Sequence, residues 1–201
     1  TVIMLGRDLG SLEYAYDAVV DAGLKEPILY PLDLEGATPE NYQELQENLL
    51  NEFGKLDGLV HNASILGTQM PIEQYDIKLW YSTIQINLNA PFMLTQFLIP
   101  ALLKSDDARI IFLSSTVGRK ARAYWGAYSV SKFGIEGFAK TLSEELEKTQ
   151  ISVNTVNPGK LRTEMRRTAY PAEDSSTVPL PEEKSQAIVH LLSSSSPKIN
   201  G

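Results

Sequence analysis

Five short apolar runs, separated by helical patterns and each stopped by loop-forming residues, constrain this 201-residue chain more than any other feature. Residues 2–5 run into Gly6-Arg7-Asp8, residues 28–32 lead to Asp33-Leu34, and residues 56–60 end in His61-Asn62-Ala63-Ser64. Residues 109–113 end in Ser114-Ser115, and residues 151–156 in Asn157-Pro158-Gly159. Apolar, β-branched segments of this length bounded by turn residues read as buried strands. Strands alternating with helices imply an α/β fold built on a doubly wound parallel sheet. In open sheets of that kind ligands bind beyond the C-terminal ends of the strands. Ser115 is therefore predicted to stand at a ligand-binding edge.

Tyr128 lies thirteen residues after Ser115, at the start of a helical pattern over 127–148, and Lys132 follows at i+4. The phenol and the ammonium thus leave one helix face a turn apart. A phenol with a pKa of about 10 is a poor acid or base at neutral pH. A neighbouring cation favours its phenolate and lowers that value. A serine hydroxyl beside the pair is suited to hold a carbonyl or alcohol oxygen while the tyrosine passes the proton. A lone YxxxK is common on exposed helices, and it is the upstream strand-end serine that makes this one a chemical constellation.

Composition narrows the partners. A net charge of −7 with no long basic run argues against nucleic acid or an anionic membrane surface. The absence of cysteine excludes disulfides and thiol nucleophiles, and it fits a cytoplasmic location. No apolar run approaches the ~18 residues of a membrane span. A content of 43% hydrophobic residues suffices for one core, so residues 1–201 are read as a single domain.

The strand-end Ser115 followed by Tyr128-Ser129-Val130-Ser131-Lys132 resembles the classical short-chain dehydrogenase/reductase family. The resemblance implies Ser115 as a donor to the substrate oxygen and Tyr128 as proton donor or acceptor. It also implies Lys132 as modulator of the tyrosine and ligand of the nicotinamide ribose. His61-Asn62-Ala63-Ser64 is similar to the family's NNAG, with His61 and Ser64 departing from it, and this implies that Asn62 and Ala63 line the adenosine side. Asn87 matches, better than Asn89, a family asparagine whose carbonyl holds a water in a proton relay. Pro158-Gly159 with Thr163 resembles PGxxxT, which packs on the nicotinamide. Asp33, followed by Leu34, stands where the family contacts adenine; a plain strand-end turn is the alternative. The run from Gly118 to Trp125-Gly126, with residues 165–174, is similar to a YciK-type bacterial subgroup.

The resemblance has gaps. No GxGxxG or TGxxxGxG stretch occurs, so the first βα unit, about 35 to 40 residues, and the last strand after Ile199-Asn200-Gly201 are expected to lie outside this sequence. At the end of the first run, Gly6 and Arg7 replace the acidic residue that usually accepts from a free ribose 2′-hydroxyl. A guanidinium suits a 2′-phosphate. NADP(H) is therefore expected over NAD(H), with a solvated loop arginine as the alternative. His61 has no carboxylate or second histidine at triad or metal spacing and is read as structural.

Three further expectations complete the sequence picture. Residues 76–103 read as one long helix. In the helix after Ala127, Tyr128, Lys132, Ile135, Ala139, Leu142 and Leu146 define the face toward the sheet. Val130, Phe133, Gly134, Gly137 and Phe138 form a second apolar face, either a homodimer or homotetramer seam or a surface covered by the same chain. Residues 164–183, rich in Pro, Ser, Thr and charge, read as a mobile substrate lid or as a disordered insertion. The functional expectation is an enzyme that interconverts a small-molecule carbonyl and its alcohol. A redox-inert dinucleotide sensor or scaffold is the main rival. A sugar-nucleotide epimerase lacks room for its substrate domain after Lys132.

Overall fold

A computed structural model describes all 201 residues. Its strands are β1 (Ile3–Gly6), β2 (Ile28–Pro31), β3 (Gly58–His61), β4 (Ala108–Leu113) and β5 (Ile151–Val156). Every pairing is parallel, in two sheets ordered β1-β2 and β3-β4-β5. Between them helices cross: α1 (Leu9–Asp21), α2 (Pro39–Phe53), α3 (Ile77–Ile84), α4 (Ala90–Leu102) and α5 (Gly126–Glu145). Three short helices close the chain: α6 (Glu164–Ala169), α7 (Pro181–Lys184) and α8 (Gln186–Leu192). No helix is long and apolar enough to cross a membrane.

The helix ends follow local chemistry. Asp8 accepts from the Ser11 N–H at 2.8 Å and starts α1. Thr38 and Asn41 frame a capping box ahead of Pro39, and Gly54, in the left-handed region at φ 73°, ends α2. The stretch 76–103 is not one continuous α-helix. A π-helical turn, Gln85–Asn89, separates α3 from α4 and carries Asn87. Single π turns inside helices are frequent at functional sites, since the extra residue re-aims a side chain.

The main core joins β4 and β5 to α2, α4 and α5, with Tyr42, Leu102, Ile110, Phe112, Ile135 and Val153 fully or almost fully buried. All six residues of β4 are buried, including Arg109, whose guanidinium meets Asp107 at 2.8 Å and the Leu191 carbonyl at 3.2 Å. The sheet-facing stripe of α5 is buried at each of its six positions. Its second face divides. Gly134 lets Leu88 come so close that a Cβ would sit 2.8 Å from it, and Phe138 packs on Phe112 and Phe92. Val130 and Phe133 remain 48% and 44% exposed.

The two sheets do not touch edge to edge. The free edges of β1 and β3 face an apolar slot of ≈ 720 Å³ lined by Ile3, Leu5, Leu59, Leu94 and Leu98 among others. At the far end of the sheet, the C-terminal residues run along β5: Asn200 Oδ1 accepts from the Val153 N–H and the Gly201 N–H donates to the Val153 carbonyl. Residues 164–183 hold α6, a 3-10 turn at Ser175–Thr177 and the start of α7, joined by turns and short irregular segments.

Candidate active site

Parallel pairing brings the C-terminal ends of β3, β4 and β5 to one edge. His61-Asn62-Ala63, Ser114-Ser115 and Asn157-Pro158-Gly159 collect there because His61 pairs with Phe112 and Leu113 with Val156, and Gly6-Arg7 joins them across a recess shared with Ala63 and Ser64. After β4 a 3-10 turn, Thr116–Gly118, carries the chain under α5. A Cβ on Gly118 would lie 2.8 to 2.9 Å from Lys132 backbone and side-chain atoms. Only glycine permits this approach, which seats the strand-end serine beside the helix that holds the tyrosine.

Tyr128 and Lys132 are both buried. The Lys132 Nζ donates to the Leu113 carbonyl at 2.8 Å and lies 5.6 Å from the centre of the Tyr128 ring. Burial pushes the Lys132 ammonium down to about 8. Burial likewise pushes the Tyr128 phenol up, and a hydrogen bond with the Ser115 hydroxyl offsets part of that shift. The Lys132 charge is not among the causes of that shift: burial comes first, and the Ser115 hydroxyl works against it.

Asn87 is held on three sides. Its Nδ2 donates to the Ile65 carbonyl at 2.8 Å and to Ser131 Oγ at 3.1 Å, and its Oδ1 accepts from the Ile65 N–H at 2.8 Å. Ser131 in turn donates to the Tyr128 carbonyl at 2.8 Å. Asn89, by contrast, is exposed and bonds only along its own turn, to Gln85 at 3.1 Å. Ser131 and Gly118 were not singled out as site-building residues by sequence reasoning. The available signal was a serine on the buried stripe of α5, three residues after Tyr128, where a polar side chain needs a partner.

A second recess of ≈ 230 Å³ lies beyond the ends of β1 and β2 and gathers Gly6, Arg7, Asp33, Leu34, Ala63 and Ser64. Asn62 is exposed at its side of the edge. Asp33 uses Oδ1 to accept from the Glu35 N–H at 3.1 Å, as a turn residue does. Thr163 caps α6 by accepting from the Arg166 N–H at 3.2 Å. Gly159, at φ 77°, closes a turn in which its N–H donates to Asn157 Oδ1. His61 stacks on Phe112 with ring centres 4.5 Å apart and bonds Thr95 Oγ1 at 2.9 Å. Its pKa is pushed down to about 3, by burial first and the Lys132 charge second.

The wall beside Tyr128 is aromatic. Val117, Trp125, Tyr128 and Ala169 form a separate small core, so α6 packs onto the start of the tyrosine-bearing helix.

The family model for short chain dehydrogenases matches residues 1–174. The chain belongs to this family. Among short-chain dehydrogenase relatives, the uncharacterized oxidoreductase YciK of Escherichia coli K12 is 41% identical over 183 residues, 91% of this chain and 72% of YciK. A short-chain dehydrogenase structure from Pseudomonas syringae superimposes with a TM-score of 0.96 at 46% identity, covering 99% of this chain and 81% of that one. One from Shigella flexneri, complexed with NADP, gives 0.96 at 39% identity, covering 100% and 83%. The Rossmann-type doubly wound fold and the oxidoreductase class follow from this membership.

Proposed function

We propose that this short-chain dehydrogenase interconverts a carbonyl and an alcohol with NADP(H), using Tyr128 as acid and base. The observation that carries the reading is the junction of strand-end Ser115 with buried Tyr128 and Lys132 on one helix face. The residues present fit the adenosine end of the cofactor, whose pyrophosphate falls to the glycine-rich turn expected outside this sequence: the recess gathers Gly6, Arg7, Asp33, Leu34 and Ala63, and Arg7 makes no ion pair with a carboxylate. Asn62, Pro158, Gly159 and Thr163 are assigned to the same edge, and Lys132 to the nicotinamide ribose. When bound, NADP(H) supplies or takes up the hydride.

The protein's own part is proton chemistry and positioning. The Ser115 hydroxyl holds the substrate oxygen, and Tyr128 gives its phenolic proton to that oxygen as the alcohol forms, or takes it back in the reverse direction. A phenol raised by burial stays protonated at neutral pH, which suits the donor role. Lys132, with its pKa near 8, can exchange a proton close to neutrality. Asn87, on its π turn, is assigned to the relay that refills the tyrosine. The YciK relative and the NADP complex of the Shigella protein support the class and the cofactor.

The test is Tyr128→Phe, which removes one hydroxyl. NADPH affinity should survive while turnover of a ketone falls by a factor on the order of 10² to 10⁴, the range for a positioned acid–base group. Near-normal turnover would overturn the mechanism and favour a redox-inert dinucleotide sensor.

A further inference from the structure

Charge is distributed against the trend of the chain around the aromatic wall. The protein carries a net −7, yet residues 119–125 and 160–174 hold seven Lys and Arg against three carboxylates. Those carboxylates are committed. Glu164 pairs with Arg167 at 2.7 Å, Glu173 with Arg166 at 2.6 Å and Lys160 at 3.1 Å, and Asp174 accepts from Ser176. Arg119 pairs with Glu136 at 2.8 Å. Arg122 makes no ion pair.

Its position is nevertheless fixed. Arg122 Nη1 donates to the Tyr170 hydroxyl at 2.6 Å, and its guanidinium carbon lies 5.6 Å from the Tyr170 ring centre and 5.9 Å from that of Trp125. Trp125 in turn meets the Tyr128 ring at 5.8 Å and the Tyr170 ring at 5.9 Å. Arg166 covers Tyr170 at 3.6 Å. The turn that presents the pair is strained: Tyr124 is the one non-glycine residue with positive φ, at 74°. Gly126 follows at φ 31°, packed so close to the Tyr75 ring that a Cβ would overlap it. Two ring steps thus separate an unpaired guanidinium from the proton-donating phenol.

We propose that Arg122 is a specificity-determining residue that grips a terminal anionic group of the substrate, a carboxylate or a phosphate. Trp125, buried between the Tyr128 and Tyr170 rings, sets the separation of guanidinium and phenol, so the substrate carries a spacer of several carbons between its anionic group and the carbonyl that reaches Tyr128. One nitrogen of the guanidinium is spent on Tyr170, and its remaining donors match a planar or tetrahedral oxyanion. The positive rim adds attraction at longer range. This inference rests on the oxidoreductase reading of the same site.

The test compares 4-oxo to 8-oxo acids, their methyl esters and the corresponding oxoalkyl phosphates, with NADPH, in wild type, Arg122→Ala and Arg122→Lys. The acids or the phosphates should show KM values at least tenfold below the esters, and the arm with the lower KM identifies the anion. Arg122→Ala should raise the anion KM roughly tenfold to a hundredfold, the scale of one charge-assisted contact, with little change in kcat. The ester KM should move far less, and Arg122→Lys should restore part of the anion preference. Equal KM values for anions and esters in wild type, or an equal effect of Arg122→Ala on both, would overturn the proposal while leaving the oxidoreductase reading intact. If no compound is turned over, that reading fails first. Calorimetric titration of the oxo acids in the presence of NADP then decides the subsite, since absent or Arg122-independent binding sinks it.

Discussion

Arg7 is followed at once by an aspartate, and the geometry separates their roles. Asp8 turns back to cap α1, where Ser11 bonds lower its carboxyl pKa, while Arg7 stays exposed at the rim of the recess. A 2′-phosphate would meet the guanidinium and a carboxylate already occupied. On the scale of one charge-assisted bond, NADPH should be preferred over NADH by about tenfold to a hundredfold. Arg7→Ala should erase most of that ratio of kcat/KM values; a wild-type preference for NADH would show the loop to be misread. His61 supplies a different residue-scale prediction. Buried and neutral, it resists protonation down to about pH 3, whereas in the unfolded chain it titrates near 6.5. The unfolded state therefore binds more protons between those values, and folding stability falls as pH drops through that window. The loss between pH 6.5 and 4.5 is on the order of 2 to 3 kcal/mol. Urea unfolding of wild type and His61→Gln should show their stability gap narrowing by that amount on acidification. A gap independent of pH would contradict the assignment.

At the scale of elements, α5 serves two surfaces. Its inner stripe builds the core and the site, and its outer stripe at Val130, Phe133 and Gly137 stays open beside Phe92, which is 46% exposed. The sequence reading expects a homo-oligomer seam there, and that expectation can be tested. Phe133→Glu should then convert the assembly to monomers in sedimentation measurements, and a wild type that is monomeric at tens of micromolar would refute the seam. The same helix shows what periodicity reveals and what it hides. Its six inward positions were legible because 4-3-4 spacing leaves one apolar face. The covering of Gly134 by Leu88 and of Phe138 by Phe92 was not, since contact between elements distant in sequence has no local signature. Nor was the π turn at Gln85–Asn89: an apolar repeat near i+4 runs through it, and the extra residue is stabilised by the tertiary bonds of Asn87 to Ile65 and Ser131. The strand ends and the Ser115, Tyr128, Lys132 constellation were readable because chemistry and turn propensity coincide there. The direction of the Tyr128 shift was not, because spacing reports the nearby cation and says nothing of lost water.

Across the whole molecule, burial is uneven. The extensive core belongs to β4, β5 and the helices around them, whereas α1 contributes a single buried residue, Leu12. The slot between β1 and β3 leaves β1 hydrogen-bonded to β2 alone and β3 to β4 alone. A parallel strand seated in the slot would gain backbone partners on both edges at once and cover the apolar side chains that line it, which is the place the first strand takes in a doubly wound sheet ordered 3-2-1-4-5.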